Sequence, residues 1–291
     1  MVALPEKRYA LYLGCAITGH QPYVEAAIRK VAKNLNVELV DVEGATCCPD
    51  PEITKSVDHK LWLIIAARNL ALAEKTGANE GLLVICNGCY DTFKKAIEEL
   101  EDKNIREEVN KNLLQIGLAY RGEVKLVNVL EFFRENLDSI LELKKKDLDG
   151  LKCVVQYGCR LLTEQRLVKA FDEILEALGV EIVRYERERM CCGVPLMYYD
   201  EKYALRERTF KKLEQIARLN PDFITLVCPA CHDQLERGEL KFRLKGKRLN
   251  IPVINLTELV AVALGENPKS IGMNYHRVKP LRLIKKLEGG T

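Results

Sequence analysis

The chain has 291 residues, of which 47% are hydrophobic and 30% are charged, and its formal net charge is +3. This length suits two domains of ordinary size, each with its own core. The small net charge gives no general case for binding nucleic acid or an anionic membrane. No apolar run is long enough to span a bilayer, since the stretch that begins at Leu61 is interrupted by Arg68. The N-terminus lacks the apolar core of a signal peptide, which together with eleven cysteines predicts a reducing, cytoplasmic compartment.

Strand and helix patterns alternate through the first half of the chain. A short apolar run from Arg8 to Gly14 predicts a strand, and apolar residues at helical spacing predict a helix over 22–34. The other elements predicted here are strands over 37–41, 81–85 and 124–129, and helices over 58–75, from about 91, over 105–119 and over 130–143. This alternation predicts a mainly parallel sheet flanked by helices.

The second half repeats this order of elements. A charged connector over 144–150 predicts the boundary between an N-terminal domain (1–149) and a C-terminal domain (150–291). The elements predicted after it are strands from 152 and over 180–184, 222–227 and 252–255, and helices over 163–178 and 200–219. From Pro268 onward a basic tail is expected, either disordered or docked to a partner protein. The predicted fold class is therefore α/β, with two tandem homologous domains related by a pseudo-twofold axis and their sites near each other.

Ten of the eleven cysteines fall into two sets with matching spacing. Each set has a single cysteine, an adjacent pair after 31 intervening residues, and a C-x-x-C motif after 37 or 35 more. The first set is Cys15, Cys47, Cys48, Cys86 and Cys89, and the second is Cys159, Cys191, Cys192, Cys228 and Cys231. All follow predicted strands, so they are expected at the carboxyl edge of each sheet, near the point where strand order reverses. The remaining cysteine, Cys153, aligns with Tyr9 and is expected to be a buried strand residue.

Five thiols in each half restrict the possible cofactors. Thiolate is a soft ligand that selects zinc, copper(I) or iron–sulfur clusters. Tetrahedral zinc and an ordinary four-iron cubane each need four ligands, so one thiolate is either spare or bridges two irons. A zinc clip and simple burial of small hydrophobic residues are the alternatives. The residues themselves predict two cysteine-rich cluster sites of matching design.

Motifs around the cysteines give a specific resemblance. The chain resembles the two-domain cysteine-rich CCG family, in particular the B subunit of heterodisulfide reductase of methanogenic archaea. The matching segments span nearly the whole chain: YLGC (12–15), CCP (47–49), DHKLW (58–62), AARN (66–69), CNGC (86–89), CCGVP (191–195) and CPACH (228–232). The first set departs from the family pattern, because Pro49 stands where the family has glycine.

The resemblance implies a cofactor and a reaction. It implies one noncubane [4Fe-4S] cluster in each domain, with the ten cysteines of the two sets as metal ligands. The implied activity is that of the catalytic subunit of heterodisulfide reductase, which reduces the mixed disulfide of coenzyme M and coenzyme B to two thiols. Disulfide reduction needs two electrons, and two one-electron centres would supply them.

The resemblance also implies partners. The sequence has no Gly-x-Gly-x-x-Gly fingerprint for a flavin, so electrons must come from other chains. The implied donors are the iron–sulfur C subunit and the flavin-containing A subunit of heterodisulfide reductase, with a hydrogenase or formate dehydrogenase beyond. Nucleic acid and membrane insertion are not expected. The alternatives are a CCG electron-transfer subunit of a succinate, lactate or glycolate:quinone oxidoreductase, and a zinc-stapled assembly scaffold.

Two arginines are candidates for binding the anionic groups of the implied substrate. Coenzyme M carries a sulfonate, and coenzyme B carries a phosphate and a carboxylate, so guanidinium groups would suit the entrance. Arg160 directly follows Cys159, and Arg189 lies two residues before Cys191. The alternative for both is a solvated or ion-paired surface residue.

Gly193 and His232 are further candidates beside the predicted ligands. Gly193 is expected to let the backbone approach the cluster closely. His232, next to Cys231, is the candidate proton donor, and its alternative is a helix-start residue with a local partner. The other histidines, His20, His59 and His276, are interpreted as structural or surface residues.

Overall fold

The structure is a computed structural model that describes residues 6–50 and 52–289. It divides into two compact units. One comprises the described residues within Met1–Gly19 and Asn36–Phe132, and the other comprises those within His20–Leu35 and Phe133–Thr291. The helix over 22–34 therefore belongs to the unit that otherwise contains the second half of the chain.

Strands and helices alternate along the described chain as expected. The strands are β1 (Arg8–Tyr12), β2 (Glu38–Asp41), β3 (Gly81–Val84), β4 (Leu126–Asn128), β5 (Lys152–Val155), β6 (Glu181–Ile182), β7 (Phe223–Leu226) and β8 (Val253–Asn255). The helices are α1 (Gly14–His20), α2 (Pro22–Asn34), α3 (Thr54–Val57), α4 (His59–Lys75), α5 (Asn87–Leu100), α6 (Lys103–Leu113), α7 (Val129–Glu135), α8 (Leu137–Glu142), α9 (Gln165–Ala177), α10 (Val194–Met197), α11 (Glu201–Tyr203), α12 (Lys211–Leu219), α13 (Pro229–Leu244), α14 (Leu256–Ala263) and α15 (Leu281–Leu287). A π-helical segment, Ala204–Phe210, joins α11 to α12, and 3₁₀ turns cover Leu114–Ile116, Leu161–Thr163 and Met273–Tyr275.

Each unit is built on a four-stranded parallel sheet with the same strand order. The first sheet runs β2-β1-β3-β4 and the second runs β6-β5-β7-β8. In both sheets the order reverses at the first strand, between β1 and β3 and between β5 and β7. The prediction of two parallel sheets flanked by helices is confirmed. In sheets of this kind ligands bind at the carboxyl edge beside the reversal, which is where both cysteine sets emerge.

Helix α2 is amphipathic, and its apolar face is covered within the second unit. Its buried face includes Tyr23, Val24, Ala27 and Ile28, and the helix packs against α14. All eight residues of α14 are buried, which agrees with its almost wholly apolar sequence.

Several segments differ from the sequence expectation, and the helices expected over 105–119 and 200–219 are each divided into shorter helical segments. Helix α5 begins at Asn87 instead of near residue 91, because Cys86 is the extended residue that starts it. The helix expected over 130–143 is broken at Asn136 into α7 and α8. The basic stretch after Pro268 is not a disordered tail, since Ile271, Met273 and the apolar face of α15 are buried in the second unit.

Candidate metal centres

The first centre forms where three loops leave the carboxyl edge of the first sheet. Cys15 lies in α1 directly after β1, and Cys86 ends the loop after β3 with Cys89 in the first turn of α5. The pair Cys47 and Cys48 lies in the irregular loop that follows β2. Strand order thus brings together five thiols that are separated by up to 74 positions in the sequence.

The five thiols of the first centre are in contact with one another. The Sγ atoms of Cys47 and Cys15 are 3.9 Å apart, and Cys48 is hydrogen-bonded to both Cys47 and Cys89. A Cβ atom added to Gly14 would lie 2.8 Å from the Sγ of Cys89, so only glycine leaves room for this thiol. All these cysteines are unbridged. The arrangement suits a group that several thiolates hold together.

The second centre repeats the design at the edge of the second sheet. Cys231 and Cys192 have Sγ atoms 3.2 Å apart, while Cys191 is hydrogen-bonded to Cys159 and Cys192. Gly158 takes the place of Gly14, with a positive φ of 80° and an added Cβ atom 3.4 Å from the Sγ of Cys231. The ten sequence-predicted ligands therefore form two clusters of five.

Contact between thiols governs their ionisation. Hydrogen bonds from neighbouring thiols lower the pKa of Cys48 and of Cys191, because they stabilise one thiolate in each centre. Hydrogen bonding to Cys48 and burial raise the pKa of Cys89, and hydrogen bonding to Cys192 and burial raise that of Cys231. One thiolate thus opposes the ionisation of its neighbours. Full ionisation of five thiols requires compensating positive charge, which a metal cluster provides.

Each centre has one buried side and one open side. The C-x-x-C cysteines Cys89, Cys228 and Cys231 are buried, whereas Cys15, Cys47 and Cys159 are exposed. A group held by these thiols would be shielded by the sheet edge and would still be reachable from solvent.

The loops that carry the cysteine pairs are fixed by buried side chains at related positions. In the first unit Asn69 accepts a hydrogen bond from the backbone N–H of Thr46 at 3.0 Å and donates to the carbonyl of Cys47 at 3.0 Å. In the second unit Lys212 is fully buried and donates to the carbonyl of Arg187 and, at 3.1 Å, to the hydroxyl of Tyr185.

The two anchors differ in charge. Asn69 is neutral, whereas burial lowers the pKa of Lys212 to about 8, and the thiols of Cys231, Cys192 and Cys191 oppose that shift. The ammonium group of Lys212 therefore remains largely protonated at neutral pH and contributes positive charge to the second centre. The two centres are matched in ligands and unequal in electrostatics.

Pro49 and Gly193, at equivalent positions after the cysteine pairs, meet different surroundings. Gly193 has a φ of 108°, and an added Cβ atom would lie 3.1 Å from the carbonyl oxygen of Ala204 in the π-helical segment. Its N–H donates to the Sγ of Cys191 at 3.5 Å. Pro49 is buried, and its carbonyl accepts a hydrogen bond from Thr92 in α5. Glycine is thus required by the packing of the second loop, and the first loop is built differently.

Asn87 gives the first centre an unpaired donor. Its Oδ1 accepts a hydrogen bond from Asn128 at 3.1 Å, which fixes the orientation of the amide. Its Nδ2 is buried without a protein partner, and Asn87 directly follows Cys86 in the C-x-x-C motif. Buried donors are normally satisfied, so this atom fits an acceptor held by the thiols, such as the inorganic sulfide of an iron–sulfur cluster.

The other predicted site residues are placed as follows. Arg160 is half-buried at the start of the 3₁₀ turn Leu161–Thr163, and Arg189 is exposed on the loop before Cys191. His232 lies in the first turn of α13 and is fully buried, with its Nε2 3.3 Å from the hydroxyl of Tyr23.

Sequence reasoning missed several residues next to the thiols. Asn69, Lys212 and Arg208 (whose charge contributes to lowering the pKa of Cys191) lie in helical segments at least 16 positions from a ligand. Polar residues inside amphipathic helices are usually exposed, and the roles of Asn69 and Lys212 follow from their burial in the folded chain. The signal available in the sequence is that Asn69 and Lys212 are about 143 residues apart, close to the offset between the two cysteine sets.

Known proteins resemble the chain over nearly its whole length. The profile of the CCG family, described as a cysteine-rich domain, matches residues 9–94 and again residues 153–236. The B subunit of ferredoxin:CoB-CoM heterodisulfide reductase from Methanosarcina mazei is 32% identical over 96% of this chain and 97% of its own length. The membrane anchor subunit of 8-methylmenaquinol:fumarate reductase from Wolinella succinogenes is 28% identical over 96% of this chain and 99% of its own length.

A solved structure shares the fold. A hypothetical protein from Helicobacter pylori superposes with a TM-score of 0.77 at 20% identity and covers 94% of this chain. The chain spans about half (52%) of the length of that protein. Among the residues that the structure describes, no helix is both long and apolar enough to cross a membrane.

Proposed function

Because the chain belongs to the cysteine-rich CCG family and contains its domain twice, we propose that it is the catalytic subunit of a heterodisulfide reductase. The single observation that carries this proposal is the pair of matching five-thiol centres in a chain similar over nearly its whole length to the B subunit of a heterodisulfide reductase. The substrate would be the mixed disulfide of coenzyme M and coenzyme B, which takes up two electrons and two protons to give two thiols.

Each domain would hold one noncubane [4Fe-4S] cluster on its five cysteines. The chemistry of the donor set supports this, since five soft thiolates exceed what zinc or a cubane needs. Such a cluster, when bound, supplies one electron at a time. Gly14 and Gly158 leave room beside the thiols of Cys89 and Cys231, and Asn87 would offer a hydrogen-bond donor to the first centre. The buried thiols would hold and shield the redox group, while the exposed cysteines would leave one side accessible.

Arg160 and Arg189 are proposed to attract the anionic ends of the substrate. Arg160 follows Cys159 of the second centre, and Arg189 precedes Cys191 of the same centre and is exposed. A role for Gly193 in close backbone approach is supported by its N–H contact with the Sγ of Cys191. The proton-donor role of His232 stays a prediction.

Partners and location follow from the same proposal. The chain would receive electrons from the iron–sulfur C subunit of the enzyme and, through it, from the flavin-containing A subunit, with a hydrogenase or formate dehydrogenase further upstream. Unbridged thiols agree with a reducing compartment, so we propose the cytoplasm as the location.

A second candidate function is an electron-transfer subunit of a quinone-linked complex. The similarity to the fumarate reductase anchor subunit over nearly both whole chains favours it specifically. In that case the centres would pass electrons without binding a disulfide. Co-purification with a flavoprotein and activity with a quinol, but not with the mixed disulfide, would identify this function.

The test is reduction of the mixed disulfide by reduced viologen after anaerobic purification. We expect turnover by the native chain, and a decrease of at least roughly 100-fold in Cys192→Ser, because a ligand of the second centre is replaced. The matched control is Cys153→Ala, which removes the one cysteine outside both sets and should retain turnover. Unchanged turnover in Cys192→Ser would refute the assignment of this centre.

A further inference from the structure

A second kind of metal-ligand cluster lies in the second unit, apart from the ten thiols. His232, Glu236 and His276 are all buried, and each offers one ligand atom, with these atoms within 4.8 Å of one another. His232 and Glu236 lie on one face of α13, four positions apart. His276 comes from the folded C-terminal stretch, just after the 3₁₀ turn Met273–Tyr275.

The distances suit a small divalent cation. Nε2 of His232 is 3.7 Å from Oε2 of Glu236, and Nδ1 of His276 is 3.9 Å from Oε1 of the same carboxylate. Ligand atoms in a tetrahedral zinc site are roughly 3.3 Å apart, as bonds of about 2.0 Å require. Small shifts of the side chains would therefore close the three atoms around one ion. The hydroxyl of Tyr23 lies 3.3 Å from Nε2 of His232 and could supply an oxygen atom as the fourth ligand.

The imidazole of His276 is oriented as metal-binding histidines are. Its Nε2 pairs with Oε1 of Glu258 at 2.8 Å, and Glu258 is itself held by the backbone N–H of Asn255. A histidine that donates one ring N–H to a carboxylate presents the lone pair of its other nitrogen to a metal. Here the other nitrogen, Nδ1, is buried without a hydrogen-bond partner and lies on the side of Glu236.

The charges also balance with a cation in place. Glu236 and Glu258 are 1% and 0% exposed, so two carboxylates are buried beside two histidines that are 0% and 1% exposed. One divalent cation would neutralise both carboxylates.

We propose that His232, Glu236 and His276 bind a divalent cation of the zinc class, with Glu258 as the carboxylate that positions His276. The ion would tie the C-terminal stretch to α13, the helix whose first turn contains Cys231. It is a structural site and does not depend on the redox function proposed for the thiols. A metal bond to Nε2 of His232 would also prevent this atom from acting as the expected proton donor, so the two roles are alternatives.

The experiment is zinc analysis of the intact, cluster-containing protein after equilibration with ZnCl₂ and removal of the excess. We expect about one zinc per chain, with X-ray absorption at the zinc edge showing nitrogen and oxygen neighbours at about 2.0 Å and no sulfur at about 2.3 Å. Absence of bound zinc would overturn the proposal, and so would zinc surrounded by sulfur, which would place the ion in a cysteine centre.

Variants give an independent test. His276→Gln should lose the zinc and keep its iron, whereas the control His59→Gln, at an exposed histidine of the first unit, should keep both. A chelator should lower the Tm of the native protein and leave that of His276→Gln unchanged. Equal zinc in His276→Gln and the native protein would refute the site. If His276→Gln does not fold, the X-ray absorption spectrum of the native protein at the zinc edge still shows whether the zinc ligands are nitrogen and oxygen or sulfur. Zinc content and disulfide turnover are separate readouts, so failure here is distinct from failure of the proposed function.

Discussion

At the scale of single residues, the two centres share their ligands and differ in what surrounds them. A neutral amide, Asn69, fixes the first cysteine pair, and a buried ammonium group, Lys212, fixes the second. Positive charge near a redox group stabilises its reduced form, which carries one more electron. Because the two centres have the same thiol ligands, this difference in charge should give the second centre the higher reduction potential.

Replacing Lys212 tests this electrostatic difference. A unit charge about 10 Å from a redox group is worth roughly 1.7 kcal/mol at an effective dielectric constant near 20, which corresponds to about 70 mV for one electron. In Lys212→Gln we expect the reduction potential of one centre to fall by tens of millivolts while the other stays constant. Potentiometric titration followed by electron paramagnetic resonance measures both.

The control for this experiment is Lys211→Gln, which removes the neighbouring exposed lysine and its ion pair with Glu207. Solvent screens that charge, so neither potential should change measurably. Equal shifts in the two variants, or none in Lys212→Gln, would show that Lys212 serves only to anchor the loop.

At the scale of elements, the sequence predicted most of what positions the centres. Hydrophobic periodicity predicts α2 with its observed bounds, and the helix predicted over 58–75 is α4, which Asp58 caps by accepting a hydrogen bond from the N–H of Leu61. The sequence predicts that the five cysteines of each set converge, because parallel strands end at the same edge of a sheet. The observed strand order places each set at the carboxyl edge of its own sheet.

What periodicity could not predict depends on long-range packing. The amphipathic pattern of α2 shows that one face is buried and does not identify α14 as the covering element. The stretch after Pro268 looked like a basic tail because its lysines and arginines are frequent, but its interspersed apolar residues are buried. The interpretation of His276 as a structural or surface residue names no partner for it, because it meets His232 only in the folded chain.

The glycine between β1 and α1 should be essential for the first centre. Gly14→Ala puts a Cβ atom 2.8 Å from the Sγ of Cys89 and forces a side chain into a positive φ of 74°, which alone costs about 1 kcal/mol. We expect a folded protein that has lost about four irons, the content of one cluster. Iron analysis and circular dichroism together measure this outcome.

Two further glycines calibrate that result. Gly158→Ala has the same backbone strain but an ordinary 3.4 Å contact with Cys231, so most of its iron should remain. Gly19→Ala lies in α1 where the added atom meets nothing within 4 Å, and helix propensity should make it neutral or slightly stabilising. Full iron content in Gly14→Ala would mean that the Cys89 thiol is not held as the structure places it.

At the scale of the whole molecule, duplication accounts for the chemistry proposed. One fold with one strand order occurs twice, and each copy gathers five thiols at its sheet edge. A disulfide needs two electrons, and two one-electron centres in one chain would provide them. Zinc in the thiol sites, or a redox group in one copy only, is incompatible with that account.

The most direct test is the metal and sulfide content of the anaerobically purified chain. The account predicts about eight iron and about eight acid-labile sulfide ions per chain, as two four-iron clusters require. The zinc proposed at His276 would be found in addition to this iron. About four irons per chain, or zinc in place of iron at the thiols, would contradict the presence of a redox cluster in each domain.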